Sequence, residues 1–433
     1  MNHLFRAFQY RNYRLFFTGQ GISLIGNWVT TTATAWLVYR LTDSEFLLGF
    51  VAFSTQIPAF LMAPFAGVMS DRLNRRRILL ITQSLAMVQS LALAVLALSG
   101  VIAVWHIIAL AIFQGLVNGF DLPTRQAFVS EIVERPEDLG NAIAMNSSMF
   151  NGARLIGPSI AGIIIARVGE GWCFLLDAVT YLAVIYCLWV MILTRKEPKP
   201  AGEKVFRGMK DGFDYAFGFA PLRNILLLVA LISMMGMPYL VLLPVFARDV
   251  LHGGPKTLGF LSAFVGIGAL CGAYFLASRR SVRGLGRVIV AAAITLGAGL
   301  IAMSCSQSLH LSYAMAMFTG FGGMVTMASS NTLLQTIADE DKRGRVLSFF
   351  TMAFMGAAPV GSLMMGAVAK AIGAPKAILI GGSFCIVGAL IFARQIPQMR
   401  NLVRPIYVRK GIIPDEVARG LQSATHLTGP DEK

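Results

Sequence analysis

Charge is what this chain has least of. Asp, Glu, Lys and Arg make up 14% of its 433 residues, against roughly 25% in soluble domains, and that charge gathers in short turns between long uncharged runs. The pattern excludes a soluble helical protein, whose helices alternate polar and apolar faces, because these runs leave little polar surface to meet water. Cysteine is thin as well: Cys173, Cys187, Cys271, Cys305 and Cys385 all fall inside apolar runs, and none belongs to a C-x-x-C pair. That rules out a zinc or disulfide framework and leaves small apolar packing residues. There is no Walker loop, so ATP does not power the chain directly. The fragment "GIGAL" at 266–270 looks like part of a nucleotide loop, but Gly268 and Gly272 stand at helix-packing spacing. Segments of alternating polarity, which a membrane barrel needs, are missing. Nothing in the chain points to an enzyme, a metal site or a bound cofactor.

What remains is apolar. Hydrophobic residues make up 56% and gather into runs near 16–40, 46–69, 78–98, 101–122, 142–166, 172–193, 223–247, 257–277, 287–305, 309–331, 346–369 and 376–396. Each is close to the ~20 residues that a bilayer-spanning helix needs, so the expected fold is an all-α integral membrane protein with about twelve transmembrane helices. Lys and Arg set its orientation. With the N-terminus in the cytoplasm, all but seven of the 37 fall on the cytoplasmic side; Arg40, Arg167, Arg248, Lys256, Lys370 and Lys376 lie outside, and Arg154 lies within a span. Both termini are therefore expected in the cytoplasm. The net charge of +15 then faces anionic lipid headgroups, and without an aromatic-interleaved basic stripe it is no sign of nucleic acid binding. The N-terminus lacks a short apolar core followed by a small-residue cleavage site, so the first span is expected to be retained.

The longest inside segment, Thr194 to Arg223, divides the spans six and six. Its start is a Pro- and Lys-rich linker. Its second part sets Val205, Met209, Phe213, Ala216 and Phe217 at helical spacing against Lys204, Arg207, Lys210 and Asp211, which suits an amphipathic helix on the inner membrane surface. The expected domains are a six-helix bundle over 1–194, a cytoplasmic linker with the amphipathic helix over 195–222, a second six-helix bundle over 223–398 and a cytoplasmic tail over 399–433. The bundles repeat each other weakly. A basic turn follows the second span of each ("SDRLNRRR" and "SRRSVRGLGR"), and each fifth span holds a Gly/Pro cluster ("GARLIGPSIAG" and "GAAPVGSLMMG"). Parallel six-span repeats about an axis normal to the membrane form a transporter architecture, with a small-molecule substrate near the midplane and access that alternates by rocking.

The stretch "AGVMSDRLNRRRILL" at 66–80 concentrates charge between spans two and three. Gly67, Asp71, Arg72, Arg75 and Arg76 fit the pattern G-x-x-x-D-R-x-x-R-R, and with it the chain resembles the major facilitator superfamily over all but its C-terminal tail. Asn74 stands where that pattern often has Gly. The segments "YRNYRLFFTGQGISLIGNW", "DLPTRQAFVSEIV" and "NGARLIGPSIAG" resemble the branch that includes the enterobactin exporter and macrolide efflux proteins. Through Gly157, Pro158 and Gly162 the last is also similar to an exporter signature of span five, departing at Ala153 and Ala161; these residues let the helix bend and pack closely. Span four keeps Gln114 and Gly115 of the signature R-x-x-Q-G but has Ala111 in place of the Arg. The proton-coupling role of that Arg is therefore not carried over.

Physically, Asp71 suits the positive N-terminus of a helix in the other half, with span eleven, starting near Gly344 and Arg345, as the candidate. The arginines can pair with Asp339, Glu340 or Asp341, and Gly67 lets another helix approach. Gly67, Asp71, Arg72, Arg75, Arg76, Gly344 and Arg345 are thus the expected cytoplasmic gate, made when that side is shut. The alternative for Arg75, Arg76 and Arg77 is that they only anchor topology.

Arg154 lies roughly 17 Å into span five at 1.5 Å per residue, near mid-membrane. An ionised Arg there costs at least ~2.5 kcal/mol, so it should face a partner or a wet cavity. It is read either as a counter-ion for an anionic substrate or coupled carboxylate, or as half of a fixed ion pair. Asp177 and Asp121 are its candidate partners and the candidate proton carriers, although Asp121 in "DLPTR" could instead cap a short helix after Pro123. Asn27, Thr31 and Thr34 share one face of a first span too polar for lipid. The resemblance implies that spans one, four, seven and ten line the cavity, which adds Gln114, Asn118, Thr326 and Asn331; interhelical hydrogen bonding is the alternative for each. Methionines such as Met234, Met237, Met352 and Met355 gather in the second half, as packing or as an adaptable apolar lining.

The expected protein is a secondary active efflux transporter of the bacterial cytoplasmic membrane. It is expected to export an amphipathic small organic molecule, siderophore-like or drug-like, by proton antiport, working as a monomer among membrane lipids. A flippase or lysophospholipid transporter of the same fold, fed from the leaflet, is one alternative. A membrane sensor or scaffold with no flux is the other.

Overall fold

Hydrocarbon offers the backbone no partners, so each apolar run has to satisfy its own N–H and C=O groups, and every run folds as a helix. The computed structural model describes residues 3–192, 205–279, 281–410 and 412, and among them there is no strand. A short 3-10 turn, His3–Gln9, leads into α1 (Arg11–Thr42), α2 (Glu45–Arg72), α3 (Arg75–Leu98), α4 (Val104–Ile132), α5 (Pro136–Val168) and α6 (Glu170–Val190). After α7 (Val205–Gly218) come α8 (Ala220–Leu231), α9 (Tyr239–Val245), α10 (Pro255–Ala277), α11 (Leu285–Ser304), α12 (Leu309–Ile337), α13 (Arg343–Thr351), α14 (Ala357–Ile372) and α15 (Ala374–Arg409).

Eleven helical stretches among the described residues are long and apolar enough to cross a membrane. The remaining expected span is α1, which has the length, 32 residues, but is diluted by amides and hydroxyls. Several of these, Gln20, Ser23 and Thr32, are buried against neighbouring helices. The sharp turn between α2 and α3 explains the departure at Asn74, whose side chain accepts from the Arg77 N–H at 3.1 Å and caps α3.

Two spans are broken. Span seven runs from α8 through a π segment, Ile232–Gly236, into α9 and a second π segment, Phe246–Val250. Pro238 and Pro244 supply no N–H here, which forces the ladder to shift. Span eleven breaks at a third π segment, Met352–Gly356, between α13 and α14. The two breaks meet: Ser233 Oγ donates to Phe354 O at 2.5 Å. No helix starts after Pro123, which lies within an unbroken α4, so Asp121 does not cap one. The last helix continues past residue 398 to Arg409. Residues 193–204, 411 and 413–433, which hold the Pro- and Lys-rich start of the expected linker and most of the expected tail, lie outside the described residues.

In the first half α1 packs on α5 and α6, α2 on α4, and α3 on α4 and α6; in the second half α11 lies between α12 and α15, and α10 lies on α12. The halves meet along two seams, α2 with α14 and α5 with α10. Small residues make the close approach possible. A Cβ on Gly162 would stand 2.7 Å from Pro255 O, and one on Gly259 2.6 Å from Pro158 O; in the other seam, a Cβ on Gly366 would stand 2.7 Å from Glu45 O. These contacts lie toward the face that carries the α1–α2 turn. Toward the opposite face, where Arg72, Arg75 and Arg76 mark the α2–α3 turn, the seams part. There Gly67, Gly140, Gly152 and Gly344 have no atom within 4 Å of where a Cβ would be, and Leu61, Phe65, Ile143 and Phe150 are exposed. The halves are closed at one face and open at the basic one.

Candidate functional site

The closed end is bolted by charge as well as by glycine. Arg248, in the π segment after α9, pairs with Asp43 at 2.5 Å and lies over the Tyr39 ring at 5.5 Å. The Tyr39 hydroxyl donates to Asp249. Asp43 turns the chain at φ 44°, in the left-handed region where Asp is among the few tolerated residues, and this aims its carboxylate across the seam. Within the first half, Arg40 holds Glu170 at 2.8 Å.

Below this bolt a cavity of about 90 Å³ lies between α1, α5, α9 and α10. Trp28, Thr31 and Thr32 come from α1, Arg154 and Pro158 from α5, and Ser262 from α10, with leucines of α9 completing an apolar wall. The Arg154 guanidinium sits 5.7 Å from the Trp28 ring centroid. Close packing fixes that geometry: a Cβ on Gly157 would stand 2.5 Å from Trp28 Cβ, so α5 brings its bend at Pro158 hard against α1. Buried Tyr239 lies close enough to Arg154 to interact electrostatically, while its hydroxyl accepts from Thr319 at 3.3 Å. Among the described residues Arg154 has no carboxylate within ion-pair distance and no hydrogen-bond partner.

Neither candidate carboxylate is its partner. Asp177 is buried between α1, α3 and α6, accepting from Ser90 at 2.6 Å and from Thr180 at 3.5 Å. Asp121 accepts from Thr82 at 2.9 Å and Gln83 at 2.7 Å, and it pairs with Arg125 one turn along α4. Both are held within the first half.

Of the expected cavity residues, Thr31 lines the chamber beside Arg154. Asn27 turns toward α6 and reaches the Tyr181 hydroxyl at 3.5 Å. Thr34 is not in the lining. Gln114 donates to Asn118 at 3.1 Å along α4, and Asn331 accepts from Gln335 at 3.1 Å. Thr326 is fully buried and bonds back to Gly322 O at 2.7 Å, so it faces helix packing and not the cavity. Trp28 was legible from its spacing, three residues before Thr31. Tyr239 and the Tyr39–Arg248–Asp43 bolt were not, because they depend on how the broken seventh span meets α1.

Of the expected gate residues, Arg75 and Arg76 make described contacts inside the first half. Arg75 donates to Ser70 O and Ala127 O and lies 3.7 Å from Glu131, and Arg76 donates to Trp189 O at 2.5 Å. These contacts stay within the first half. Arg72 is exposed, and the Asp71 side chain lies outside the described residues. On the other half, Asp339 accepts from Tyr215 at 3.0 Å and pairs with Arg409 at 2.9 Å. Burial, with that carboxylate beside it, raises the Tyr215 hydroxyl above its ordinary value, so it stays a donor. Phe213 and Phe217 of α7 stack on each other and set their edges on Phe349 of α13, and Arg345 packs against Gly212. The amphipathic helix thus docks on the second half.

Over residues 4–406 the chain matches the family described as transmembrane secretion effectors. It belongs to that family of the major facilitator superfamily, and it is a multi-pass membrane transporter, not an enzyme. It is 26% identical to the staphyloferrin A transporter of Staphylococcus aureus over 381 residues, covering 88% of this chain and 95% of that one. It is also 26% identical to the multidrug efflux pump Tap of Mycolicibacterium fortuitum over 390 residues, covering 87% and 93%. A bacterial homologue of the human lysosomal transporter Spinster, solved inward-facing and unoccupied, superposes with a TM-score of 0.68 at 14% identity, covering 88% of this chain and 95% of that one. A D-xylose–proton symporter superposes with a TM-score of 0.70 at 15% identity, covering 88% and 97%. At that identity the two structures share the fold.

Proposed function

We propose that this chain is a secondary active exporter of the bacterial cytoplasmic membrane, moving an amphipathic small organic molecule outward in exchange for protons by alternating access. The observation that carries the reading is that glycine seams join the halves at one face and part at the basic one, with a chamber of mixed polarity lying between the halves under the joined face. Positive residues favour the cytoplasm, so the open face is the cytoplasmic one. An exporter loads its substrate in that state. The names of two relatives, a siderophore transporter and a multidrug pump, support an amphipathic organic substrate.

Asp177 is the carboxylate we assign to the proton. It meets only hydroxyl groups, whereas Asp121 already has Arg125 as counter-ion, so nothing compensates a charge at Asp177. The residues Gly67, Asp71, Arg72, Arg75, Arg76, Gly344 and Arg345 are assigned to the cytoplasmic gate; closing it would exchange contacts within each half, such as that of Arg75 with Glu131, for contacts between halves. Uptake of a siderophore and drug panel into inside-out vesicles, with and without an imposed pH gradient, tests the reading. Gradient-driven accumulation of at least one amphipathic compound is expected. Flux of none under any gradient, or flux indifferent to collapse of the gradient, would overturn it.

A further inference from the structure

We infer that the exported molecule carries an anionic group, a carboxylate or its equivalent, and that Arg154 binds it with the Trp28 ring beside it. The inference rests on the exporter reading and narrows its substrate class. Its basis is a mismatch in charge. Arg154 sits midway along a membrane-spanning helix, in a chamber walled by Trp28, Pro158 and leucines. A cation there requires compensation, and among the described residues the protein gives it the Trp28 ring and neither an ion pair nor a hydrogen bond.

The carboxylates that could have served are engaged elsewhere. Asp177 is bonded to Ser90 and Thr180, Asp121 is paired with Arg125, and Asp43 and Asp249 are engaged by Arg248 and Tyr39 in the bolt above. An aromatic ring over one face of a guanidinium leaves its edge, which bears the N–H donors, free to take an oxyanion in the ring plane. Bidentate binding of a carboxylate satisfies two donors at once. The apolar wall then takes the rest of the molecule, which accounts for a ligand with a charged end and an apolar body. Thr31 and Ser262, on facing helices of the two halves, can hydrogen-bond its polar atoms. A neutral amphipath would leave the guanidinium unsatisfied on loading. A cationic drug would add repulsion to that.

The test is binding to the purified full chain in nanodiscs, comparing an aryl-alkanoate series with the isosteric carboxamides by quenching of tryptophan fluorescence. Wild type is expected to bind carboxylate over amide by roughly tenfold or more, the contribution typical of a charged hydrogen-bonding partner. Arg154→Gln should abolish that discrimination with amide affinity changed less than about twofold, Arg154→Lys should keep part of it, and Trp28→Phe should remove the quenching while titration calorimetry still records the preference. Equal binding of carboxylate and amide by wild type would overturn the inference, as would a preference that survives in Arg154→Gln. If Arg154→Gln does not fold, Arg154→Lys decides: an undiminished preference overturns the inference, and a partial loss supports it. Failure here differs from failure of the exporter reading. Vesicles that carry neutral amphipaths as readily as acids would keep the exporter and lose the anion site, whereas selective binding without flux would do the reverse.

Discussion

At the scale of single residues, two buried carboxylates of one half have opposite physical roles. Asp121 faces Arg125, Thr82 and Gln83, so its charge is matched and these three partners hold α3 to α4. Replacing it leaves the half-buried Arg125 unpaired beside a neutral side chain, and breaking a fully buried pair of this kind costs up to about 3–5 kcal/mol; Asp121→Asn is expected to lower the melting temperature in detergent. Asp177 has hydroxyl partners only, which serve an amide almost as well. Asp177→Asn should therefore fold with near wild-type stability, retain substrate binding, and transport at a rate that no longer responds to a pH gradient. Vesicle uptake with and without an ionophore checks this; an unchanged response would move the proton to another group. Both aspartates are visible in the sequence as charges in apolar surroundings. Their partners on α3 are not, because Thr82, Gln83 and Ser90 come from another helix, and depth along a span says nothing about which face a side chain takes.

At the scale of elements, the closed face is held by backbone proximity more than by charge. Arg248 and Asp43 keep 40% and 68% of their side-chain surface exposed, and ion pairs of that kind contribute roughly 0–1 kcal/mol. The glycine seams admit no side chain at all. A Val at position 162 would drive its Cβ toward Pro255 O and the Gly259 and Lys256 backbone, at 2.7 and 3.2 Å, and backbone cannot swing aside as a side chain can. Gly162→Val is thus expected to wedge the closed seam and shift the population toward opening at that face, read as increased labelling of a cysteine placed at Lys256. No increase would mean that the seam is not what holds the face shut. The Gly/Pro cluster of span five advertised this packing in the sequence. The π segments of span seven did not announce themselves, since their cause is the conjunction of Pro238 and Pro244 with close contacts to α14 and α15. Nor did the docking of α7: its amphipathic period was plain, but an apolar face fits a protein as well as a lipid surface, and Phe349 supplied the protein.

At the scale of the molecule, the legible part was the architecture. Apolar run lengths, charge asymmetry and the paired turns at 70–77 and 278–287 define a helical membrane protein of two related halves, because hydrocarbon leaves the chain so few options. The state it adopts was not legible. The proposed gate at Arg75 and Arg76 would have one set of partners when shut and another when open, and the sequence lists both without ranking them; here Glu131 and backbone carbonyls hold the arginines. The most direct test of the account is a pair of distances measured by double electron–electron resonance in nanodiscs. One pair of labels, at Ile143 and Tyr274, both exposed, spans the open ends of α5 and α10; the other, at Val168 and Lys256, spans their closed ends. Two halves that rock about a central site require opposite changes, so the first distance should shorten as the second lengthens, with Gly162→Val shifting both in that direction. Distances that stay fixed across all conditions, or that grow and shrink together, would contradict it.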